Sequence, residues 1–145
     1  MTDMKAKSLH FSKTGAAQQI AAEFGRVFEC VCDKIPPAYP CENEKIVFIG
    51  VEMSGRLEKP VEAFCKDLKP VRAKNVAFYV INGKGDVSGL EEISKTLEAN
   101  GVHVAAEPYG IAVKGGLFKK ASVTDADIQA AVAWAKEIID NKLAK

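Results

Sequence analysis

Two fully apolar segments rich in β-branched and aromatic residues limit the folds that this chain can adopt. They lie at residues 46–49 (IVFI) and 76–81 (VAFYVI). Runs of this kind are typical of strands that are covered on both faces, as at the centre of a parallel sheet. Apolar residues with helical spacing occur around them, at 16–28, 57–68, 89–100 and 125–141. Strands that alternate with helices predict an α/β fold.

Weaker strand candidates complete this pattern. They lie at 8–11 and 29–32, and a fifth strand begins at 102–106 and resumes at 111–113. A proline-rich stretch at 36–40 takes the place of a regular helix. Five strands suit the winding order 2-1-3-4-5, a five-stranded parallel sheet between two helical layers. We therefore expect one domain over residues 1–145, with Ser88 and Thr124 as helix N-caps.

The charge balance argues against two classes of partner. The chain has 20 basic and 19 acidic side chains and a net charge of +1. A nucleic-acid-binding protein needs a basic surface for phosphate contacts, and no excess of basic residues supplies one here. No run of eighteen apolar residues predicts a membrane span, and residues 1–7 lack the apolar centre of a signal peptide. The expected location is the cytoplasm, with neither nucleic acid nor membrane as a partner.

The four cysteines are Cys30, Cys32, Cys41 and Cys65. In a reducing compartment they are expected to be free thiols. Cys30 and Cys32 fall on a predicted strand, where residues two apart share a face. A metal or redox role is one interpretation of this pair, but no further ligands stand at zinc-finger spacing. We therefore expect poorly exposed thiols with a packing role and no metal site.

The loop after the first predicted strand carries the clearest binding signal. Its sequence is Ser12-Lys13-Thr14-Gly15, directly before a helix. Free backbone N–H groups at a helix start can bind phosphate, hydroxyl groups add donors, and glycine allows close approach. A helix cap would use the same residue types, so this loop alone leaves both interpretations open. In the predicted sheet, the loops at 50–57 and 82–89 reach the same edge.

The order of these segments resembles the flavodoxin family. The resemblance rests on Ser12-Lys13-Thr14-Gly15 with Ile20-Ala21, on residues 46–51 with Gly55-Arg56 and Phe64, and on residues 74–78. It continues in Val113-Lys114-Gly115 and in the helix at 125–139. It spans nearly the whole chain and implies a flavodoxin-like three-layer sandwich. It also implies FMN as cofactor and electron transfer to a redox partner protein, rather than an enzyme with its own substrate and catalytic residues.

The resemblance also implies where FMN would bind. The phosphate would lie on the loop after strand one, and the flavin ring would lie between the loops after strands three and four. Gly55 would offer a flexible peptide near the ring, and the charge of Glu52 would disfavour the fully reduced flavin. The predicted cofactor-binding residues are Ser12, Lys13, Thr14, Gly15, Ala16, Ala17, Glu52, Met53, Ser54, Gly55, Arg56, Asn82, Gly83, Lys84, Gly85 and Asp86.

Three departures from the flavodoxin pattern support a second hypothesis. Ala17 stands where flavodoxins usually have another threonine. Residues 52–54 (EMS) replace the usual proline and aromatic ring, and residues 82–86 (NGKGD) contain no aromatic either. A stacking ring adds about 1 kcal/mol beyond area burial, so its loss weakens flavin binding. The alternative is a flavodoxin-like domain that has lost FMN and serves as a binding or assembly module.

Overall fold

A parallel β-sheet forms the centre of the molecule. The computed structural model describes residues 5–113 and 123–144. Its strands are β1 (Ala6–Phe11), β2 (Val31–Lys34), β3 (Ile46–Glu52), β4 (Asn75–Asn82), β5 (His103–Val104) and β6 (Tyr109–Ala112). They lie in the order β2-β1-β3-β4-β5, β6 also pairs with β4, and every pairing is parallel. The predicted α/β class and the order 2-1-3-4-5 are confirmed, with the fifth strand in two pieces.

Two helices cover each face of the sheet. They are α1 (Ala16–Val27), α2 (Lys59–Lys66), α3 (Glu91–Ala99) and α4 (Asp125–Asn141). On one face, α1 and α4 bury Phe24 and Ile138 against Phe48 and Tyr79. On the other face, the cluster formed with α2 and α3 contains Val61, Cys65, Leu97, Ile49 and Phe78. Apolar burial on both faces explains why β3 and β4 are apolar throughout their centres.

Gly50 and Tyr79 join the two central strands in a way that also positions α1. They are direct neighbours across β3 and β4. The ring of Tyr79 lies over Gly50, where a Cβ atom would stand 2.2 Å from the ring carbon Cζ. The fully buried Tyr79 hydroxyl donates a hydrogen bond to the carbonyl oxygen of Ala17 at 3.3 Å. The missing side chain at residue 50 therefore lets β4 reach the first turn of α1.

Two local predictions are wrong and one is confirmed. The second strand begins at Val31 rather than Glu29, because Glu29 adopts a left-handed backbone (φ 52°) in the turn after α1. Ser88 does not cap α3, which begins at Glu91, because its hydroxyl donates to Asp86 Oδ2 at 2.9 Å. Thr124 caps α4 as predicted, in a reciprocal pair of hydrogen bonds with Asp127.

The four thiols are free, but their exposure differs from the prediction for Cys32. Cys41 and Cys65 are buried, and Cys30 is half-buried just before β2. Cys32 is exposed, because β2 is the edge strand of the sheet and its residues are largely open to solvent. The expectation that both members of the Cys30–Cys32 pair are poorly exposed is therefore wrong for Cys32.

None of the helices in the described residues is long and apolar enough to cross a membrane. In the same part of the chain, no three His, Cys, Asp or Glu side chains are grouped in a way that could hold a metal ion.

Candidate functional site

Three connections meet at the carboxyl edge of the sheet, where the chain passes from β1 to one face and from β3 and β4 to the other. After β1 the chain turns to α1 through residues 12–15. We call these residues and the first two residues of α1 the anion loop (residues 12–17). After β3 it turns to α2 through the β3 loop (residues 53–58), and after β4 to α3 through the β4 loop (residues 83–90). Because β1 and β3 are adjacent, a crevice opens between their loops, as expected for this topology.

The carboxylate of Glu52, the last residue of β3, lies in the anion loop. Its Oε1 accepts hydrogen bonds from the backbone N–H groups of Lys13 (3.0 Å) and Thr14 (2.8 Å) and from Thr14 Oγ1 (2.9 Å). Its Oε2 accepts from the Ala17 N–H (3.0 Å) and from the hydroxyl of Ser12. Five donors thus converge on one carboxylate. This is the arrangement that a bound anion takes at a helix N-terminus.

Short-range hydrogen bonds within the anion loop hold these donors in place. Ser12 Oγ accepts from the N–H of Gly15 at 2.9 Å, and Thr14 Oγ1 accepts from the N–H of Ala16 at 3.3 Å. Gly15 has φ 96°, a left-handed conformation that favours glycine, and a Cβ atom there would meet nothing within 4 Å. The glycine is therefore needed for the turn, not for space. Each hydroxyl both orders the loop and donates to Glu52.

Burial and hydrogen bonding act in opposite directions on Glu52. Burial by itself raises the pKa of the carboxyl group, but the hydrogen bonds from Ser12, Ala17 and Thr14 outweigh it and hold the pKa below its usual range. The carboxylate is therefore ionised at neutral pH, and it supplies the negative charge that the loop favours.

His10 lies beside this carboxylate. It pairs with Gly50 across β1 and β3, and residues two apart in a strand share a face, so His10 and Glu52 lie on the same face of the sheet as the Tyr79 ring that covers Gly50. His10 is buried, and its Nδ1 has no hydrogen-bond partner among the described residues. Burial lowers the pKa of His10, while the charges of Asp33 and Glu52 partly oppose this effect. Sequence reasoning did not include His10 in the site.

An open cleft of about 670 Å³ lies next to the anion loop. Its lining residues are Lys13, Glu52, Met53, Ser54, Arg56, Leu57, Glu58, Lys59, Pro60, Ile81 and Asn82. None of these residues is aromatic. Arg56 and Lys59 are exposed, whereas Lys13 forms an ion pair with Glu58 at 2.8 Å. The lining of the cleft therefore combines the buried apolar residues Met53 and Ile81 with charged side chains.

Asn82 holds the β3 and β4 loops together. Its Nδ2 donates to the carbonyl oxygens of Met53 and Asp86, each at 2.8 Å. Its Oδ1 accepts from the N–H groups of Lys84 and Asp86, each at 3.0 Å. These contacts shape the β4 loop from within, so Asn82 is an organising residue of the site.

The structure brings most of the predicted site residues together, but in two groups. The anion loop and Glu52 form one hydrogen-bonded unit, and Glu52, Met53, Ser54, Arg56 and Asn82 line the cleft beside it. Gly55, Gly83, Lys84, Gly85 and Asp86 are not among the lining residues. The sequence predicts that Glu52 lies close to the ring if a flavin binds; in the structure its carboxylate accepts hydrogen bonds from the anion loop. The sequence signal for this contact is an acidic residue, Glu52, at the end of one strand, next to a strand whose following loop has N–H groups without intrahelical partners.

A comparison with solved structures supports the architecture. The crystal structure of the flavodoxin-like domain of a Synechococcus sp. protein superposes with a TM-score of 0.58. The two sequences are 13% identical, and the match covers 92% of this chain and 95% of that domain. The fold of this chain is flavodoxin-like. No protein-family model matches the sequence, and no curated protein matches it. The resemblance to flavodoxins is thus confirmed as a flavodoxin-like fold.

Proposed function

We propose that this flavodoxin-like domain works without FMN, as a binding or assembly module that contacts its partner through the cleft. The position of the Glu52 carboxylate carries this proposal, because it uses the loop donors that a flavin phosphate would need. Two like unit charges 4 Å apart at an effective dielectric of 20 repel by about 4 kcal/mol. A phosphate and this carboxylate therefore do not share the loop.

The lining of the cleft supports the same proposal. Among the described residues no aromatic side chain lines it, so a flavin ring would lack a stacking partner there. The exposed residues of its rim include Arg56 and Lys59. A partner that offers carboxylates would fit this rim, and electrostatic complementarity of this kind favours specificity and fast association.

An FMN-binding electron-transfer protein is the second candidate. The observation that favours it is the cleft of about 670 Å³ beside an intact Ser12-Lys13-Thr14-Gly15 loop. If Glu52 left the loop, the flavin would supply the redox chemistry, and the chain would bind and orient it. A redox partner protein would then be required.

Flavin titration tests the two candidates against each other. We expect the purified protein to be colourless and to leave the fluorescence of micromolar FMN and riboflavin unquenched. A yellow protein with stoichiometric flavin would contradict the FMN-free proposal and establish the second candidate.

The binding role needs a separate measurement. The tagged protein and an Arg56→Glu, Lys59→Glu double variant are compared for partners that co-purify from the native cells. Lys136→Glu is the matched control, because Lys136 is exposed on α4, away from the residues that line the cleft. We expect a partner that is lost with the double variant and kept with the control. Equal recovery with all three proteins would exclude the cleft as the contact surface.

A further inference from the structure

A groove of about 490 Å³ lies on the face of the sheet that α2 and α3 cover, and we call it the α2 groove. One wall is the connection from β2 to β3, with Pro36, Pro40 and Cys41, and the other wall is α2. From β1 to β5 this connection, residues 35–45, is the one link between consecutive strands that contains no helix. Because an extended segment is thinner than a helix, the helical layer on this face is incomplete and the groove stays open.

The helix α2 presents a second apolar stripe to the groove. Its first stripe, with Val61 and Cys65, is buried against the sheet. Pro60, Ala63 and Phe64 stand at positions i, i+3 and i+4 and line the groove instead. Residues with this spacing share one face of a helix, and an apolar face of this kind is the surface on which another helix packs. The side chain of the exposed Ala63 is small, so a partner backbone can approach closely.

The exposed large hydrophobic residues of the described chain lie on the same side of the molecule. They are Val31, Tyr39 and Val71. Tyr39 is 79% exposed and precedes Pro40 in the groove wall, and Val71 is 74% exposed and precedes Arg72, which also lines the groove. Val31 pairs with Lys7, whose Nζ donates to the carbonyl oxygen of Tyr39 at 3.1 Å, so Val31 and Tyr39 lie over the same face of the sheet. Apolar residues grouped around a groove mark an interaction surface.

The surface beyond the carboxyl end of α2 is basic. Residues 66–74 contain four exposed cations and one acidic residue, namely Lys66, Lys69, Arg72, Lys74 and Asp67. Lys66 and Arg72 form exposed ion pairs with Glu62 and Glu42 at 3.7 and 3.8 Å. Exposed pairs of this kind contribute little, so carboxylates of a partner can replace them. The charge therefore favours an acidic partner and disfavours a second copy of the same basic surface.

We propose that the α2 groove docks an acidic amphipathic helix of a partner protein. The apolar face of that helix packs on Ala63 and Phe64, and its carboxylates lie toward Lys69 and Lys74. The docked helix completes the layer that the connection from β2 to β3 leaves open. This surface goes beyond the proposed function, because the groove shares only Pro60 with the cleft.

A synthetic amphipathic peptide is the probe for this surface. It contains leucine, alanine and glutamate over about fifteen residues, because shorter isolated helices are marginal in water. Its leucines are three and four residues apart, so that they form one face, and fluorescence anisotropy measures its binding. One comparison peptide carries lysine in place of each glutamate, and another carries a central proline that breaks the helix.

Two variants of the protein test the groove, each with a matched control. Ala63→Glu places a larger, negatively charged side chain in the groove, and Lys69→Glu reverses a charge beside it. The controls are Ala133→Glu and Lys136→Glu, because both residues are exposed on α4, which packs on the other face of the sheet. All four positions are exposed, and circular dichroism verifies that each variant is folded.

We expect the parent and both controls to bind the acidic peptide with equal affinity. Ala63→Glu is expected to raise the Kd by about tenfold or more, a loss of about 1.4 kcal/mol. Lys69→Glu is expected to raise it by about threefold, as for one exposed charge pair. Added salt should weaken binding, and the lysine and proline peptides should bind more weakly than the acidic peptide.

Several results would overturn the proposal. The acidic peptide may fail to bind the parent or bind it no better than the comparison peptides, and Ala63→Glu may bind like Ala133→Glu. A dimer in sedimentation velocity that Ala63→Glu dissociates would assign the groove to a second copy of the chain. Flotation with vesicles of phosphatidylcholine and phosphatidylglycerol, lost in Ala63→Glu, would assign it to a membrane. None of these measurements involves flavin or the Arg56 and Lys59 variants, so a failure here is distinguishable from a failure of the proposed function.

Discussion

A single carboxylate determines the electrostatics of the site. Glu52 is an acidic residue at the end of a central strand, a position that normally costs desolvation energy. The anion loop compensates this cost, because three of its N–H groups and both of its hydroxyl groups donate to the two oxygens of Glu52. At this scale the site is an intramolecular anion complex, and its strength depends on the charge of one group.

Glu52→Gln is expected to destabilise the protein in a pH-dependent way. The amide keeps the size of the side chain but lacks the charge, and its NH₂ group faces N–H donors. Charge-assisted hydrogen bonds of this kind contribute about 1.5–3 kcal/mol each when buried, and solvent screening reduces this for the half-buried Glu52. We expect a net loss of about 1–3 kcal/mol in the free energy of unfolding at neutral pH.

The sign of the pH dependence follows from the lowered pKa of Glu52 in the folded state. Its stabilising contribution is complete above the ordinary value of 4.5 and is lost as the pH falls through the folded-state pKa. Urea denaturation across this range should therefore show the parent and Glu52→Gln converging at acid pH. The control Glu58→Gln removes only an exposed ion pair and should stay close to the parent. A difference between the parent and Glu52→Gln that does not change with pH would contradict the assignment.

The packing of β3 on β4 and α1 determines where the anion loop lies. Tyr79 fills the space above Gly50, contacts Phe24 with ring centroids 5.4 Å apart, and reaches the first turn of α1. The helix start is thus held against the sheet by a buried aromatic cluster. This cluster fixes the distance of α1 from the sheet, and at that distance the donors of the anion loop reach Glu52 on β3.

Gly50→Ala is expected to cost about 3 kcal/mol of unfolding free energy, at or above the upper end of ordinary overpacking. The added Cβ would stand 2.2 Å from the Tyr79 ring, which is fully buried and cannot move without displacing its neighbours. Gly83→Ala is the matched control, because a Cβ there meets nothing within 4 Å and the φ of Gly83 lies outside the left-handed region. Chemical denaturation of both variants gives the comparison. Equal stability of the two would show that the ring rearranges freely.

The sheet order determines the environment of whole segments. Because β2 lies at the edge of the sheet, its apolar residues are exposed. Apolar residues of β3 and β4 are buried, because these strands lie at the centre. The same order brings the ends of β1, β3 and β4 to one edge, where the anion loop and the cleft form. The four thiols differ in exposure accordingly, since Cys32 is exposed, Cys30 is half-buried, and Cys41 and Cys65 are buried.

In the native protein Cys32 is expected to react with a thiol reagent before the other cysteines. Burial and Asp33 raise its pKa, so it should be slower than a free thiol, but Cys32 is the exposed one of the four residues. Burial raises the pKa of Cys65 to about 12 and that of Cys30 to about 11, and Cys41 is buried. The number of fast-reacting thiols should be one, and Cys32→Ser should remove this phase. Cys65→Ser should leave it unchanged. Four equally slow thiols would contradict the edge position.

The sequence determined the architecture and the identity of the anion loop. The apolar runs in β3 and β4, the helical spacing of α1 and the Thr124 cap are local or periodic signals, and the structure follows them. The composition of residues 12–15 predicted a site rich in donors. The predictions for Ser88 as a helix cap and for Glu29 as the start of a strand are wrong because of local interactions. The Ser88 hydroxyl donates to Asp86, and Glu29 adopts a left-handed turn.

Only the tertiary structure decided what fills the loop. Glu52 is near the loop because β1 and β3 are neighbours in the sheet, and no local sequence pattern predicts that its carboxylate accepts hydrogen bonds from Ser12 and Thr14. The exposure of Cys32 likewise depends on which strand becomes the edge. Both outcomes follow from contacts between residues far apart in the chain, whose energies depend on strand order and register, and periodicity along the sequence does not encode them directly.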